Sequence, residues 1–387
     1  MRVAGLYSGI GGLELGFQKA GFESVLLCEI DQLCRRVLYK QFRDVKVVSD
    51  IASLPTLPRV DVVTAGFPCT SWSQVGMTRG LVAGRSYIMH IIRLIQATRY
   101  KPDFIVLENV PFIIHLDEGA AIRMIVQSVV KLGYSWSYRI LDTGGFGLPQ
   151  RRRRWIFVAA RNEEAASILF GGDKKRDESD MPAPAAHGFY WTEGTRGIGW
   201  ANNAIPPLKS GSGIGIPSPP AIWNKKSGDI FIPHIRDAER LQGFPSHWSL
   251  LPGAPLSDQR ARWRLLGNAV SVPISEWLAR RILKTRNTVP QGDLVEASDL
   301  LPKAAYGYGR TWIAVDAVER PSRHLTPGIL DFLKEDGLPL SAGATRGFRE
   351  RLEDSSLRKN GQFLEALKRH EKRMERASRA SRPGPRL

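Results

Sequence analysis

Acids and cysteines are what this sequence is short of. Its 38 Asp and Glu face 55 Lys and Arg, leaving a formal charge of +17 and a pI near 10. Such an excess favours a polyanionic partner, nucleic acid first and an anionic membrane surface second. The cysteines number 3 (Cys28, Cys34 and Cys69), too few for a disulfide framework, and no Cys/His cluster has zinc spacing. The chain therefore reads as intracellular and reduced, with no metal. No apolar run is long enough to span a membrane. The opening residues, Met1 to Tyr7, lack the long apolar region and cleavage site of a signal peptide. There is no internal repeat. What remains is a 387-residue globular chain with room for one large domain and a smaller one.

Against that background the strand signals stand out. Val60 to Ala65 is a short β-branched run that leads straight into Gly66-Phe67-Pro68-Cys69. Cys69 is thus expected just past a strand's end, on a tight turn, where open α/β sheets collect ligands and catalytic groups. A thiol there can act as a nucleophile; an isolated Pro-Cys is more often a small hydrophobe closing a turn. Val3 to Tyr7 reads as a first strand, followed by Ser8-Gly9-Ile10-Gly11-Gly12 and a helical run. Strand, glycine loop and helix make a cradle for a nucleotide-like ligand. Glu14 stands where a dinucleotide fingerprint has its third glycine, and an acid there suits a neutral or cationic cofactor. A second strand, Ser24 to Cys28, ends at Glu29-Ile30-Asp31. Glu29 is the better candidate for ribose hydroxyls, because Asp31 is placed to cap the next helix. A third strand ends at Asp50-Ile51, and Phe104 to Leu107 runs into Glu108-Asn109-Val110, so Glu108 should share the sheet edge with Cys69. A carboxyl buried there can donate a proton.

Residues 74–85 are glycine-punctuated and basic, as a lid over an anionic substrate would be. His90, in the following apolar helix, reads as a packed histidine. Four arginines, Arg151 to Arg154, precede a strand in which Arg152 and Arg154 share a face; Arg151 and Arg153 read as phosphate contacts. From Arg161 to about Ile235 glycine, proline and serine rise, as in an inserted, loop-rich module. Lys368 to Leu387 carries eight Lys or Arg against two acids, a net of +6, and reads either as a DNA-backbone contact or as a solvated tail.

Together these segments resemble the C5-cytosine DNA methyltransferases, the bacterial Dcm-like family. The likeness covers residues 1 to about 285, with eight motifs in family order. They are Tyr7-Ser8-Gly9-Ile10-Gly11-Gly12, Glu29-Ile30-Asp31, Asp50-Ile51, Gly66-Phe67-Pro68-Cys69, Glu108-Asn109-Val110, Gln150-x-Arg152-x-Arg154, Arg240 to Pro245, and Gly267-Asn268-Ala269-Val270. The resemblance implies an α/β fold: a Rossmann-like sheet with helices on both faces, plus a smaller inserted target-recognition domain. It implies a catalytic and cofactor-binding domain at 1–160, recognition at 161–235, a return segment at 236–285 and a basic extension at 286–387.

It also implies S-adenosylmethionine as cofactor, with Tyr7, Gly9, Gly11, Gly12, Glu29, Ile30, Asp50, Ile51, Pro68 and Asn268 around it. Catalysis falls to Cys69 as nucleophile on cytosine C6, Glu108 at N3 and the amine, Arg152 at the pyrimidine O2, and Arg154 in support. The target base is flipped out of the duplex. The implied partner is double-stranded DNA, with no membrane and no metal. The chain is expected to act as a monomer in a bacterial or phage-infected cytoplasm, at the nucleoid, alongside a cognate restriction endonuclease. Tyr7 in place of Phe, Thr70-Ser71-Trp72 after the cysteine, Ile30 in place of an aromatic, and Ser86 after Arg85 depart from the common pattern. None removes a catalytic group. The alternatives are a tRNA cytosine methyltransferase of the same fold and a DNA-binding protein without activity.

Overall fold

A computed structural model describes residues 1–68, 79–162, 164–173, 183–211, 218–251, 259–284, 289–295, 300–322 and 324–380. The first part alternates strand and helix: β1 (Arg2–Leu6), α1 (Gly12–Lys19), β2 (Glu23–Cys28), α2 (Gln32–Gln41), β3 (Lys46–Val48), β4 (Val62–Gly66), α3 (Arg79–Ala97), β5 (Phe104–Asn109) and α4 (Ala120–Lys131). Next come β6 (Ser135–Asp142), β7 (Arg153–Ala160) and the short α5 (Ala165–Phe170). Four brief strands follow, β8 (Ala186–Phe189), β9 (Ala201–Asn202), β10 (Ala221–Asn224) and β11 (Ile230–Ile232), then α6 (Ile235–Leu241), α7 (Gln259–Asn268) and α8 (Val272–Ile282). The last stretch holds β12 (Asp293–Leu294), β13 (Ala305–Gly307), β14 (Ile313–Ala314), α9 (Ile329–Phe332), β15 (Leu338–Pro339), α10 (Ala342–Glu353) and α11 (Gly361–Ala380).

Ten strands make the large sheet, in the order β3-β2-β1-β4-β5-β7-β6-β13-β14-β12. The five from β3 to β5 are parallel, and β7 runs antiparallel beside β5. The central strands are near-continuous apolar runs because helices cover both faces. Ile88, Ile91 and Ile95 of α3 and Ile122 and Ile125 of α4 fill one side. Phe17 of α1, Ile168 and Leu169 of α5, and Ile274 and Leu278 of α8 fill the other. α8 returns the chain to its start: the Ser275 hydroxyl donates to the Leu13 carbonyl at 2.6 Å. The direction of β7 matters for the site. It brings its first residues, Arg153 and Arg154, to the edge where the parallel strands end, with Trp155 opposite Asn109.

The small sheet is antiparallel, in the order β15-β11-β10-β8-β9. Its apolar face carries Phe189 and Trp223, and Phe348 of α10 and Phe363 of α11 cover it. Two expectations about organisation change here. Residues 161–173 belong to the large domain, since α5 is buried against its sheet; the small sheet begins only at Ala186. Residues 286–387 are no appendage to a finished core, because β13 pairs with β6 and β15 pairs with β11. Nor is α11 a free basic tail. Phe363, Ala366, Leu367 and His370 are buried, Glu371 pairs with Arg346 and Arg349, and Arg373 meets Asp229 at 2.7 Å. Its basic charge is therefore neutralised in part by the protein itself, and Lys372, Arg376 and Arg379 lie exposed. Residues 381–387 lie outside the described residues.

Candidate active site

The strand order reverses between β1 and β4: from β1 the chain goes to β2 on one side, while β4 lies on the other. Loops leaving the carboxyl ends of such a pair diverge and leave a crevice. A cavity of about 550 Å³ opens there. Tyr7, Gly9, Glu29, Ile30, Asp50 and Ile51 border it from the first three strands. Pro68, Glu108, Arg152, Arg154 and Asn268 border it from the other side. Motifs spread over some two-thirds of the sequence thus meet around one space.

The acid at the tip of β2 is held by backbone. Glu29 Oε2 accepts the Gly9 N–H and Oε1 accepts the Asp31 N–H, both at 2.8 Å. Burial pushes its carboxyl above the usual range. Asp31 is the helix cap, accepting from Leu33 and Cys34, and it pairs with Arg264 at 2.7 Å. Asp50 caps the following turn through the Ala52 N–H at 2.8 Å. Ile30 is 73% exposed on the lip of the cavity, and Ile51 is buried behind it. Tyr7 sits at φ 54°, strained for a non-glycine residue. It is held by an edge-on contact with Tyr87 and a hydroxyl bond to the Tyr87 carbonyl.

Not all of the glycine loop faces the cavity. Gly9 does; Gly11 packs on Phe42, and a side chain on Gly12 would lie 2.4 Å from the Val270 carbonyl. Gly12 is therefore needed for the return segment to dock. Glu14 does not face the cofactor space either. It turns into the sheet, fully buried, where Thr64 donates to Oε1 at 3.1 Å and Oε2 has no hydrogen-bond partner among the described residues. Gly5 makes room for it, since a side chain there would overlap its carboxyl. Burial raises its pKa to about 7. The folded state thus binds this proton more tightly than the unfolded chain, so the stability it confers is complete below pH 4.5 and is lost as pH rises through 7. Urea unfolding at pH 5 and pH 8 should show the wild type losing up to about 3 kcal/mol more than Glu14→Gln between the two. Equal losses would mean that Glu14 does not titrate there.

The second half of the site centres on Glu108. It is buried at the end of β5, with Oε1 2.8 Å from Arg154 Nε. Burial pushes its carboxyl up, against the pull of Arg154 and Arg152. Arg152 departs from its expected role. Its terminal nitrogens donate to the carbonyls of Leu208 (3.0 Å), Gly267 (3.1 Å) and Ala269 (2.7 Å), and it is 1% exposed. It ties the return segment to the chain leaving the small sheet. Gly267 lacks a side chain for the same reason: the Lys209–Ser210 backbone would lie within 2.4 Å of one. Arg154, expected in support, is the arginine that meets the carboxylate.

The sequence reading missed two residues. Asn109 Nδ2 donates to the Phe67 carbonyl at 3.1 Å and pins the Phe67-Pro68 turn to β5; buried polarity at a strand end was its only signal. His90 borders the cavity, although its helix reads as core. Cys69 and residues 70–78 lie outside the described residues, so the expected lid is described only from Arg79, where α3 has already begun. Pro68, just before Cys69, borders the cavity. The other two thiols are poor nucleophiles: burial pushes Cys28 up to about 12 and moves Cys34 the same way.

Comparison with known proteins agrees with this geometry. The family model described as C-5 cytosine-specific DNA methylase matches residues 1–192. Type II methyltransferase M2.BsuMI of Bacillus subtilis (strain 168) is 39% identical over 382 residues, covering 95% of this chain and 98% of its own. The chain belongs to the C-5 cytosine-specific DNA methylase family. A further relative of this methylase is Type II methyltransferase M.DsaV of Dactylococcopsis salina, 28% identical across 72% of this chain and 84% of its own. Among solved structures, the S. pombe Dnmt2 methyltransferase shares the fold, with a TM-score of 0.56 and 18% identity over 73% of this chain and 98% of that one.

As a C-5 cytosine-specific DNA methylase, the protein transfers a methyl group from S-adenosylmethionine to C5 of cytosine in DNA. The first half of the cavity fits that cofactor. An acid oriented by two backbone N–H groups and an exposed Ile30 in front of Ile51 suit a ribose and an apolar slot for a purine. Among the described residues, no cluster of side chains could hold a metal ion and no helix is long and apolar enough to cross a membrane.

Proposed function

We propose that this methylase works with Cys69 as nucleophile, Glu108 and Arg154 as its base-binding pair, and the small sheet as its reader of DNA sequence. The observation that carries the reading is the buried Glu108–Arg154 pair at a sheet edge whose cavity Pro68, the residue before Cys69 in sequence, also borders. Glu29, Ile30, Asp50 and Ile51 hold the nucleoside end of S-adenosylmethionine, with Tyr7, Gly9, Pro68 and Asn268 closing around it. When bound, that group supplies a methyl carbon made electrophilic by a sulfonium.

The chain's own residues prepare the base. C5 of cytosine is a poor nucleophile, so the Cys69 thiolate adds at C6 and the C5=C6 electron pair moves toward C5. Glu108 supplies a proton at N3 and accepts from the exocyclic amine, which stabilises the charge that builds on the ring. Arg154 keeps Glu108 in place and offers its remaining N–H groups to O2. After methylation a water takes the C5 proton, the N3 proton returns to Glu108, the electron pair re-forms C5=C6, and the thiolate leaves. The base must leave the duplex to reach this cavity, which costs a few kcal/mol.

One chain holds both the base cavity and the candidate reading surface, so a single copy suffices. The relatives' names contain "Type II methyltransferase", which supports a role as the modification partner of a restriction endonuclease. Expression in a host that lacks cytosine methylation, followed by mapping of 5-methylcytosine, tests the reading. Modified cytosines should fall at one short sequence. Exchange of 183–234 together with 338–380 for the matching parts of a relative should move the mark to the relative's site. The second segment must travel with the first because β15, α10 and α11 complete the small sheet. Absence of 5-methylcytosine overturns the function; a mark that stays put after the exchange overturns the reading role.

A further inference from the structure

A second cavity, of about 680 Å³, lies beside the first, and Arg154 borders both. Its wall carries Arg151, Arg153, Arg154 and Arg320, with Trp200 from the small domain and Glu319 from the C-terminal segment. A base drawn into the first cavity must leave its sugar and phosphate outside it, and the second space adjoins the first at Arg154.

The charges on the wall are not equivalent. Arg154 is committed to Glu108, and Arg320 pairs with Asp142 at 3.0 Å. Arg151 donates to the Trp200 carbonyl, which satisfies an N–H without neutralising charge; among the described residues it makes no ion pair. Arg153 presents its fork to Glu319, with Nε 2.6 Å from Oε2 and a second bond from Nη2 to Oε1. This pair is well exposed to solvent, so water and salt screen it. A guanidinium fork donates to two phosphate oxygens as readily as to two carboxylate oxygens.

Resting on the reading of the chain as a DNA methylase, we propose that this cleft seats the backbone of the strand carrying the target cytosine, and that Glu319 occupies the phosphate position on Arg153 until DNA arrives. Arg151 supplies a standing attraction. Arg153 supplies a second contact that opens only when a phosphate displaces the carboxylate. Glu319 thereby lowers the affinity for DNA at large. Its position is fixed by the chain itself: the Glu319 carbonyl accepts the Asp142 N–H at 2.9 Å, and Thr326 donates to the Gly144 carbonyl.

Binding of a fluorescent mixed-sequence duplex, followed from about 50 to 300 mM KCl, tests this. Arg151→Ala should make the plot of log K against log salt shallower by about 0.9, the loss of one phosphate contact. Glu319→Gln should bind several-fold more tightly at low salt than wild type. That gain should vanish on an Arg153→Ala background, where Glu319→Gln/Arg153→Ala should bind no more tightly than Arg153→Ala alone, whereas a diffuse charge effect would survive in that comparison. An unaltered slope for Arg151→Ala, or a gain that persists on the Arg153→Ala background, overturns the proposal. Melting temperature and cofactor binding identify any variant that fails to fold, and Arg151→Lys, which keeps the charge, should then hold the wild-type slope. Methyl transfer to genomic DNA by the wild type separates the two readings. Transfer with unmoved slopes sinks only the cleft; moved slopes without transfer sink only the enzymatic role.

Discussion

Cys69→Ala should lower methyl transfer by about four orders of magnitude or more, while binding of S-adenosylmethionine and of duplex DNA persists. The size follows from what the thiolate does. Without addition at C6 there is no electron pair at C5 to accept the methyl group, and neither Glu108 nor Arg154 can create one. Cys28 and Cys34 cannot stand in, because burial keeps both thiols protonated at working pH. The adduct itself is open to capture. A duplex with 5-fluorocytosine at the target should leave the wild type covalently attached, since fluorine cannot depart as a proton does. Cys69→Ala should form no such adduct. Residual turnover near the wild-type rate would remove Cys69 from the mechanism.

Glu108→Gln should cost about 10²–10⁴-fold in kcat, the usual worth of a positioned acid. Glutamine keeps the shape and can still bond the base edge, but it has no proton to give. The pH profile distinguishes this loss from a packing defect. The Glu108 carboxyl is pushed up by burial, so it keeps its proton to higher pH than an exposed carboxyl does and loses it as pH climbs further. Wild-type turnover should therefore fall on the alkaline side, whereas formation of the Cys69 thiolate raises it on the acid side. Glu108→Gln should retain the rising limb and lose the falling one. A falling limb that survives the change would belong to another group.

The large sheet was legible because its parallel strands are buried on both faces. Val60 to Ala65 and Phe104 to Leu107 read as apolar runs, and each leads into a residue proposed for the chemistry. β6 was not legible. It carries Ser135, Ser137 and Arg139 in the interior, and Arg139 is acceptable there because Asp173, at 2.7 Å, and the Leu169 and Val318 carbonyls meet it. A pattern read along one strand cannot show a partner held by another element.

The two arginines of the Gln-x-Arg-x-Arg motif teach the same lesson. Alternation, as read from the sequence, puts Arg152 and Arg154 on one face, though β7 itself begins only at Arg153. Which of them reaches Glu108 depends on where the 208–210 and 267–269 backbones pass, and no local signal carries that. Glu14 was legible as an acid in an odd place, but the missing side chain at Gly5 that lets it turn inward is a tertiary fact.

The small sheet has a further consequence, which concerns synthesis. Its strands β8 to β11 are complete once Ile232 has been made, but the strand that covers its edge begins at Leu338 and the helix that brings Phe363 lies later still. At a typical translation rate of 5–20 residues per second, the intervening chain takes roughly 5–20 s to appear. During that interval the ribosome carries a sheet with Phe189 and Trp223 uncovered and β11 unpaired, the condition in which nascent β-structure aggregates. The parallel strands β1 to β5 carry most of their helices interleaved with them, and the face that α8 covers can close once Ile282 has been made, well before Leu338. The large sheet of this methylase can therefore assemble while the small sheet is still held open, and the chain from Leu338 onward decides whether the small sheet closes.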